Sequence, residues 1–266
     1  MKTAVEALLA LEPLGDDVFT ATIPDRGGMT RLFGGQVAAQ ALLAASRTVG
    51  DERPPHSLHG YFIRGGKPDV PLHHEVDRTR DGRSFTTRHV TVRQNGEAIF
   101  ELLASFHATE PGPDWQTEPP PIDAIPPPSE GAPHPRLGYL GRLFDIRRVR
   151  PAQEGSWVLH PYWIRTREPI GDDPALQAAM LAFLSDIALM ASARAPRSAA
   201  PLVSGASLDH AVWFHRPPRV DEWLLYSAEP VANIGARGLA RGTLHTADGA
   251  LVASTVQEAL LRTAAP

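Results

Sequence analysis

"RDGRSFTTRHVTVRQNGEAIFELLASF" (residues 80–106) decides the fold once it is laid beside "IGARGLARGTLHTADGALVASTVQEAL" (residues 234–260). Arg83 meets Arg237 and, with one residue gained or lost between, Asn95-Gly96 meets Asp248-Gly249. Asn-Gly and Asp-Gly flanked by apolar alternation predict tight hairpins, because both central residues tolerate positive φ. Upstream, "SLHGYFIRGGKPDVPL" runs parallel to "SLDHAVWFHRPPRVDEWL", each opening on Ser-Leu. Two generic antiparallel sheets would explain the alternation alone. The shared order of the matches favours a duplication.

Each half also carries one unusual helix. "GGQVAAQALLAASRTV" (34–49) holds one charge, Arg47, and "PALQAAMLAFLSDIALMASA" (174–193) holds one, Asp186. A helix apolar nearly all round is a buried helix. Each half is therefore expected to be a strand, a buried helix and a run of strands curving around it. The first strands are expected at 17–23 and within 156–166. Between the halves, residues 110–136 hold ten of the 26 prolines and read as an extended connector. The expected division is 1–110, a connector over 111–136, and 137–266.

The remaining composition narrows the classes. A chain of 266 residues with net charge −4 has no overall basic field for nucleic acid or an anionic membrane. Cysteine is absent, which excludes disulfides, thiolate metal sites and a cysteine nucleophile and fits a cytoplasmic location. "MKTAVEALLALEPLGDD" reads as a short amphipathic helix, too acidic for a signal peptide, and no apolar run is long enough for membrane insertion. The eleven histidines, including His56, His59, His73 and His74, show no metal-binding spacing, so no metal is expected. No dinucleotide fingerprint is present, and no cofactor is expected.

Candidate chemistry begins at "SGASLDHAVWFHRP" (204–217), where Ser207, Asp209, His210 and His215 suggest a serine-hydrolase triad. Strand alternation puts Ser207, Asp209 and His215 on one face and His210 on the other. Asp209 and His210 then point apart, and His215 lies roughly 26 Å from Ser207 at the strand rise. Without a G-x-S-x-G elbow either, the triad fails and Asp209 and His210 are provisionally structural. Asp186, read as mid-helix on the edge of an apolar stripe, needs hydrogen-bond partners or a function. Gln257 shares an apolar strand face with Thr255 and Ala259, and is either a structural hydrogen-bonding group or a functional one. The first half has Ala104 where the second has Gln257, and no carboxylate on its helix, so one working site per chain is expected. "LFGGQ" (32–36) opens a buried helix whose N–H groups at Gly35 and Gln36 suit an oxyanion; a tight turn needing small residues explains it equally well.

"LFGGQVAAQAL", "HSLHGYFIRGG", "RDGRSF", "SLDHAVWFHRP", "DEWLLYS", "ARGLARG" and "DGALVASTVQE" together resemble the acyl-CoA thioesterase II family, over about residues 15–110 and 160–262. The resemblance implies an α+β double hot-dog fold, two antiparallel sheets each wrapped around a buried helix. It also implies hydrolysis of acyl-CoA to free acid and coenzyme A. The family uses an aspartate on the second helix, a Thr or Ser in the strand after it, and a C-terminal glutamine. On this sequence these are Asp186, Ser207 and Gln257, which would activate one water. Two departures, in 194–205 and 137–165, leave the acyl-chain preference open. A non-catalytic acyl-CoA binding protein and a hot-dog enoyl-CoA hydratase are the alternatives. A homodimer or higher homo-oligomer is expected.

Overall fold

The computed structural model describes residues 3–26, 28, 30–119, 138–149, 161–194 and 202–263. Its N-terminal helix is shorter than the sequence suggests. α1 (Ala4–Leu8) opens on a capping box, in which Thr3 and Glu6 satisfy each other's backbone N–H groups, and the chain turns extended by Glu12.

The first half then reads β1 (Glu12–Gly15), β2 (Val18–Thr22), α2 (Gly34–Ser46), β3 (Pro55–Phe62), β4 (Pro71–Asp81), β5 (Phe85–Gln94) and β6 (Glu97–His107). The second reads α3 (Leu140–Leu143), β7 (Phe144–Arg148), β8 (Tyr162–Thr166), α4 (Pro174–Ser185), α5 (Leu189–Ser192), β9 (Leu202–Ser207), β10 (Asp209–Phe214), β11 (Leu224–Ile234), β12 (Arg237–Thr246) and β13 (Leu251–Thr263). The architecture is α+β with antiparallel strand pairing throughout.

Strand order gives the duplication a physical form. The path runs β1-β2-β4-β5-β6-β3-β10-β13-β12-β11-β8-β7, with β9 also on β13. Outward from the centre, β3-β6-β5-β4-β2 is answered by β10-β13-β12-β11-β8. Hydrogen bonding is unbroken across the centre, where Leu58 pairs with Val212 and Tyr61 with Asp209. The two sheets expected from the sequence are thus joined edge to edge into one.

The hairpins differ in detail from expectation. Asn95-Gly96 does have positive φ at both residues, 52° and 81°. At Asp248-Gly249 only Gly249 does, and the Thr246 hydroxyl closes the turn by accepting from the Ala250 N–H. The second half's two-residue positive-φ turn is Gly235-Ala236 instead, between β11 and β12. Of the proline-rich connector, residues 120–136 lie outside the described residues. Its start is tied down: Gln116 donates to the Gly249 carbonyl and accepts from the Leu251 N–H.

α2 and α4 pack on each other, and both are buried along most of their length. Their approach is close because α2 begins with glycine. A Cβ on Gly35 would lie 2.5 Å from the Phe183 carbonyl oxygen and 2.9 Å from the Asp186 Cβ. α4 starts on Asp173, whose carboxylate accepts from the Ala175 N–H, with Pro174 at the first helical position. It ends at Ser185, not at 193 as the sequence pattern suggests. Asp186 is its C-cap, and Ala188 turns left-handed at φ 64° before α5. Nothing local demands that stop, since there is neither glycine nor proline. Two buried tyrosines brace the turn: Tyr226 donates to the carbonyl of Ser185, the last helical residue, and Tyr162 to that of Ile187, just past the C-cap.

Candidate active site

Asp186 stands where the end of α4 meets the start of α2. One of its carboxylate oxygens accepts the Gly35 N–H at 2.7 Å. The α2 N-terminus is where a carboxylate buried here finds a free backbone donor and the positive end of a helix dipole. The residue is only 7% exposed. Burial pushes its pKa up to about 7, while the Gly35 N–H and the Gln257 amide pull in the opposite direction. A carboxyl group so placed is divided between its acid and base forms near neutral pH.

Gln257 comes to the same point from β13, where it is fully buried. Its Nε2 donates to Ser207 Oγ at 2.7 Å. Its Oε1 lies 2.7 Å from His210 Nδ1, and His210 Nε2 lies 2.8 Å from Ser185 Oγ. Asp186, Ser207 and Gln257, chosen from the sequence, therefore do converge, and His210 joins them.

The alternation used to separate His210 from Ser207 fails at Leu208. Ser207 lies opposite Ala259, but Ala211 lies opposite Val256, so four steps on one strand match three on β13. This is a β-bulge, which inserts one residue and re-aims the side chains around it. Asp209 accommodates the irregularity by accepting the Glu258 N–H on its carboxylate. With the phase reset, Ser207 and His210 both reach Gln257. Asp209 and His210 still point apart, Asp209 to the backbone and His210 into the core. His210 had the signal that singled out Gln257, a polar side chain on a buried face.

The proposed oxyanion donors have other partners here. The Gly35 N–H is held by Asp186, and the Gln36 N–H donates to the Phe33 carbonyl. An incoming carbonyl oxygen has to displace one of these. The Phe62 ring packs on the same helix start: a Cβ on Gly34 would come within 2.8 Å of it and 3.1 Å of Asp186 Oδ2.

The first half has no copy of this arrangement. Ala104, the counterpart of Gln257, pairs with Arg88, which fills that buried face. Its guanidinium is bonded to Thr48 and to the Asp81 carboxylate.

The chain is a thioester hydrolase by its likeness to known proteins over nearly its whole length. The comparisons with known proteins give the family. Residues 23–107 match the acyl-CoA thioesterase N-terminal domain and residues 145–260 the acyl-CoA thioesterase family. Acyl-coenzyme A thioesterase 8 of Rattus norvegicus is 37% identical over 97% of this chain and 88% of its own length. The crystal structure of an acyl-CoA thioesterase II from Mycobacterium marinum is 38% identical, covers 99% of this chain and 98% of its own, and superposes with a TM-score of 0.82. A protein of unknown function with a hot dog fold, from Alicyclobacillus acidocaldarius, covers 100% of both chains at 22% identity and a TM-score of 0.72. That last likeness shows the fold alone. The chain belongs to the acyl-CoA thioesterase family. No helix among the described residues is long and apolar enough to cross a membrane.

Proposed function

We propose that the chain hydrolyses acyl-CoA thioesters, the activity of its family, by direct attack of one water held by Asp186, Ser207 and Gln257. The observation that carries this reading is the Asp186 carboxyl group, buried, with a pKa of about 7 and hydrogen-bonded to Gly35 and Gln257. A general base works best when its pKa lies near the operating pH. Ionised Asp186 takes a proton from the water as the water oxygen bonds to the thioester carbonyl carbon. Ser207 and Gln257 fix the direction of attack. As Asp186 is neutralised, its hold on the Gly35 N–H weakens just as the former carbonyl oxygen gains charge, so Gly35, with Gln36 beside it, becomes available to that oxygen. Collapse breaks the C–S bond, and the proton passes from Asp186 to the leaving sulfur. The products are the free acid and coenzyme A.

On this reading each half, 1–110 and 137–266, is one hot-dog unit with its sheet around its helix, and 111–136 joins them. Only the second unit supplies reacting side chains. A protein that merely binds acyl-CoA has no use for a carboxyl group held at that pKa, and a hydratase built on Asp209 and His210 would need the two to converge. Tyr61 and Leu103 are 63% and 48% exposed on β3 and β6. Apolar surface of this kind suits a homodimer or larger homo-oligomer.

Rapid-quench mass spectrometry of the enzyme during turnover of a medium- or long-chain acyl-CoA tests the water mechanism. Free thiol should appear while the protein keeps its unmodified mass. An acyl adduct on Ser207 overturns the proposal.

A further inference from the structure

The mechanism so far makes no use of His210, although it is fully buried and both ring nitrogens have partners in the site. Nδ1 faces Gln257 Oε1 at 2.7 Å, and Nε2 faces Ser185 Oγ at 2.8 Å. Ser185 Oγ also lies 2.9 Å from the Ala182 carbonyl. These contacts link Ser185, His210, Gln257 and Ser207 in a row, with two neighbours for the single Ser185 hydroxyl hydrogen, the Ala182 carbonyl and His210 Nε2.

A hydroxyl has one hydrogen and a neutral imidazole carries one N–H, so such a chain has two self-consistent proton arrangements. In the first, the Ser185 hydroxyl gives up the Ala182 carbonyl and donates to Nε2, and Nδ1–H donates to Gln257 Oε1. The Gln257 NH₂ group then faces Ser207 and Asp186. In the second, Ser185 donates to Ala182, Nε2–H donates to Ser185, and Nδ1 is a bare acceptor. The Gln257 amide must then turn over, which points its carbonyl oxygen at Ser207 and the Asp186 carboxylate. Only the first arrangement gives the base a second donor beside the Gly35 N–H; the second sets the Gln257 carbonyl oxygen against the Asp186 carboxylate. A neutral ring is required for this choice, and burial keeps His210 neutral by lowering its pKa to about 4.

We propose that His210 is a positioning residue for hydrolysis: protonated on Nδ1, it fixes the Gln257 amide with its NH₂ group toward Ser207 and Asp186. The proposal rests on the Asp186–Ser207–Gln257 reading above. It assigns Ser185 the lesser part of holding the ring's other nitrogen. His210 does not touch the water or the thioester and exchanges no proton with either.

Three variants and one spectrum test it. His210→Phe keeps the ring and removes the donor. His210→Asn puts an amide N–H close to the place of Nδ1 but loses the Ser185 contact. Misplacing a positioning group by about 1 Å lowers turnover on the order of 100-fold. His210→Phe should therefore lose roughly 10- to 100-fold in kcat with KM within a few-fold, and His210→Asn should regain most of it even if its melting temperature is lower. Equal losses in both variants that track their melting temperatures would mean a structural role and overturn the proposal. So would wild-type kcat in His210→Phe.

Gln257→Ala in the same assay separates the two levels. Full turnover there overturns the site reading and this proposal together. A crippled Gln257→Ala beside an unaffected His210→Phe overturns only the proposal. If the His210 variants do not fold, long-range ¹H–¹⁵N spectra of ¹⁵N-histidine-labelled wild type read the tautomer directly, with the His210 signal assigned by its response to Ser185→Ala. A hydrogen on Nδ1 supports the proposal; one on Nε2 overturns it.

Discussion

At the scale of single residues, Asp186 as the proposed base should set activity against pH, and its burial should set stability. Its pKa rises from 3.8 to about 7 on folding. Below about pH 7 the base is progressively protonated, so kcat/KM should fall toward tenfold per pH unit on the acid side. The stability effect has the opposite sign to that of a salt-bridged aspartate. Between pH 3.8 and 7 the unfolded chain releases a proton that the folded chain keeps, so stability is lost as pH rises and stays lost above 7. The shift corresponds to on the order of 4 kcal/mol. Asp186→Asn should therefore melt above wild type at pH 8, with the difference shrinking toward pH 4; a variant less stable at pH 8 would contradict the burial argument. Asp186 was legible as a lone charge in an apolar run. Its pKa was not, because the burial that raises it is made by the whole fold and the Gly35 N–H that partly offsets it lies 151 positions away in the chain.

Elements position the site through irregularities that sequence periodicity does not encode. α4 stops at Ser185, where Tyr226 from β11 takes the last helical carbonyl and Tyr162 from β8 takes that of Ile187 just beyond, and β9 and β10 lose phase because one residue is inserted opposite β13. Both features come from tertiary partners, which is why a continuous helix and an unbroken alternation are the natural readings of the sequence alone. The glycine pair of "LFGGQ" was visible, but its purpose was not: Gly35 lets α2 approach the α4 backbone and donate to Asp186. Gly35→Ala places a methyl 2.5 Å from the Phe183 carbonyl, and backbone cannot move as a side chain can. Overpacking of this kind costs about 1–3 kcal/mol, and the displaced helix end should lower kcat as well. Gly50→Ala meets only the Glu52 side chain and is the control expected to change neither. Unaltered melting and turnover in Gly35→Ala would refute the close-contact role.

At the scale of the whole molecule, the proposed site draws on both halves of the repeat. Matching hairpins made the repeat legible, but two halves alone do not say how they meet. The β3–β10 pairing joins them, and the α2–α4 contact carries a first-half N–H to a second-half carboxylate. Residues 138–266 expressed alone should therefore lack thioesterase activity, and co-expression with residues 1–119 should restore it. Activity in the second half alone would show that α2 is dispensable. The central claim, that Asp186 is the base, is tested most directly by the kcat of Asp186→Asn, measured by thiol release from an acyl-CoA at pH 8. The account predicts a fall of about 10²- to 10⁴-fold in a folded protein, and turnover close to wild type would contradict it.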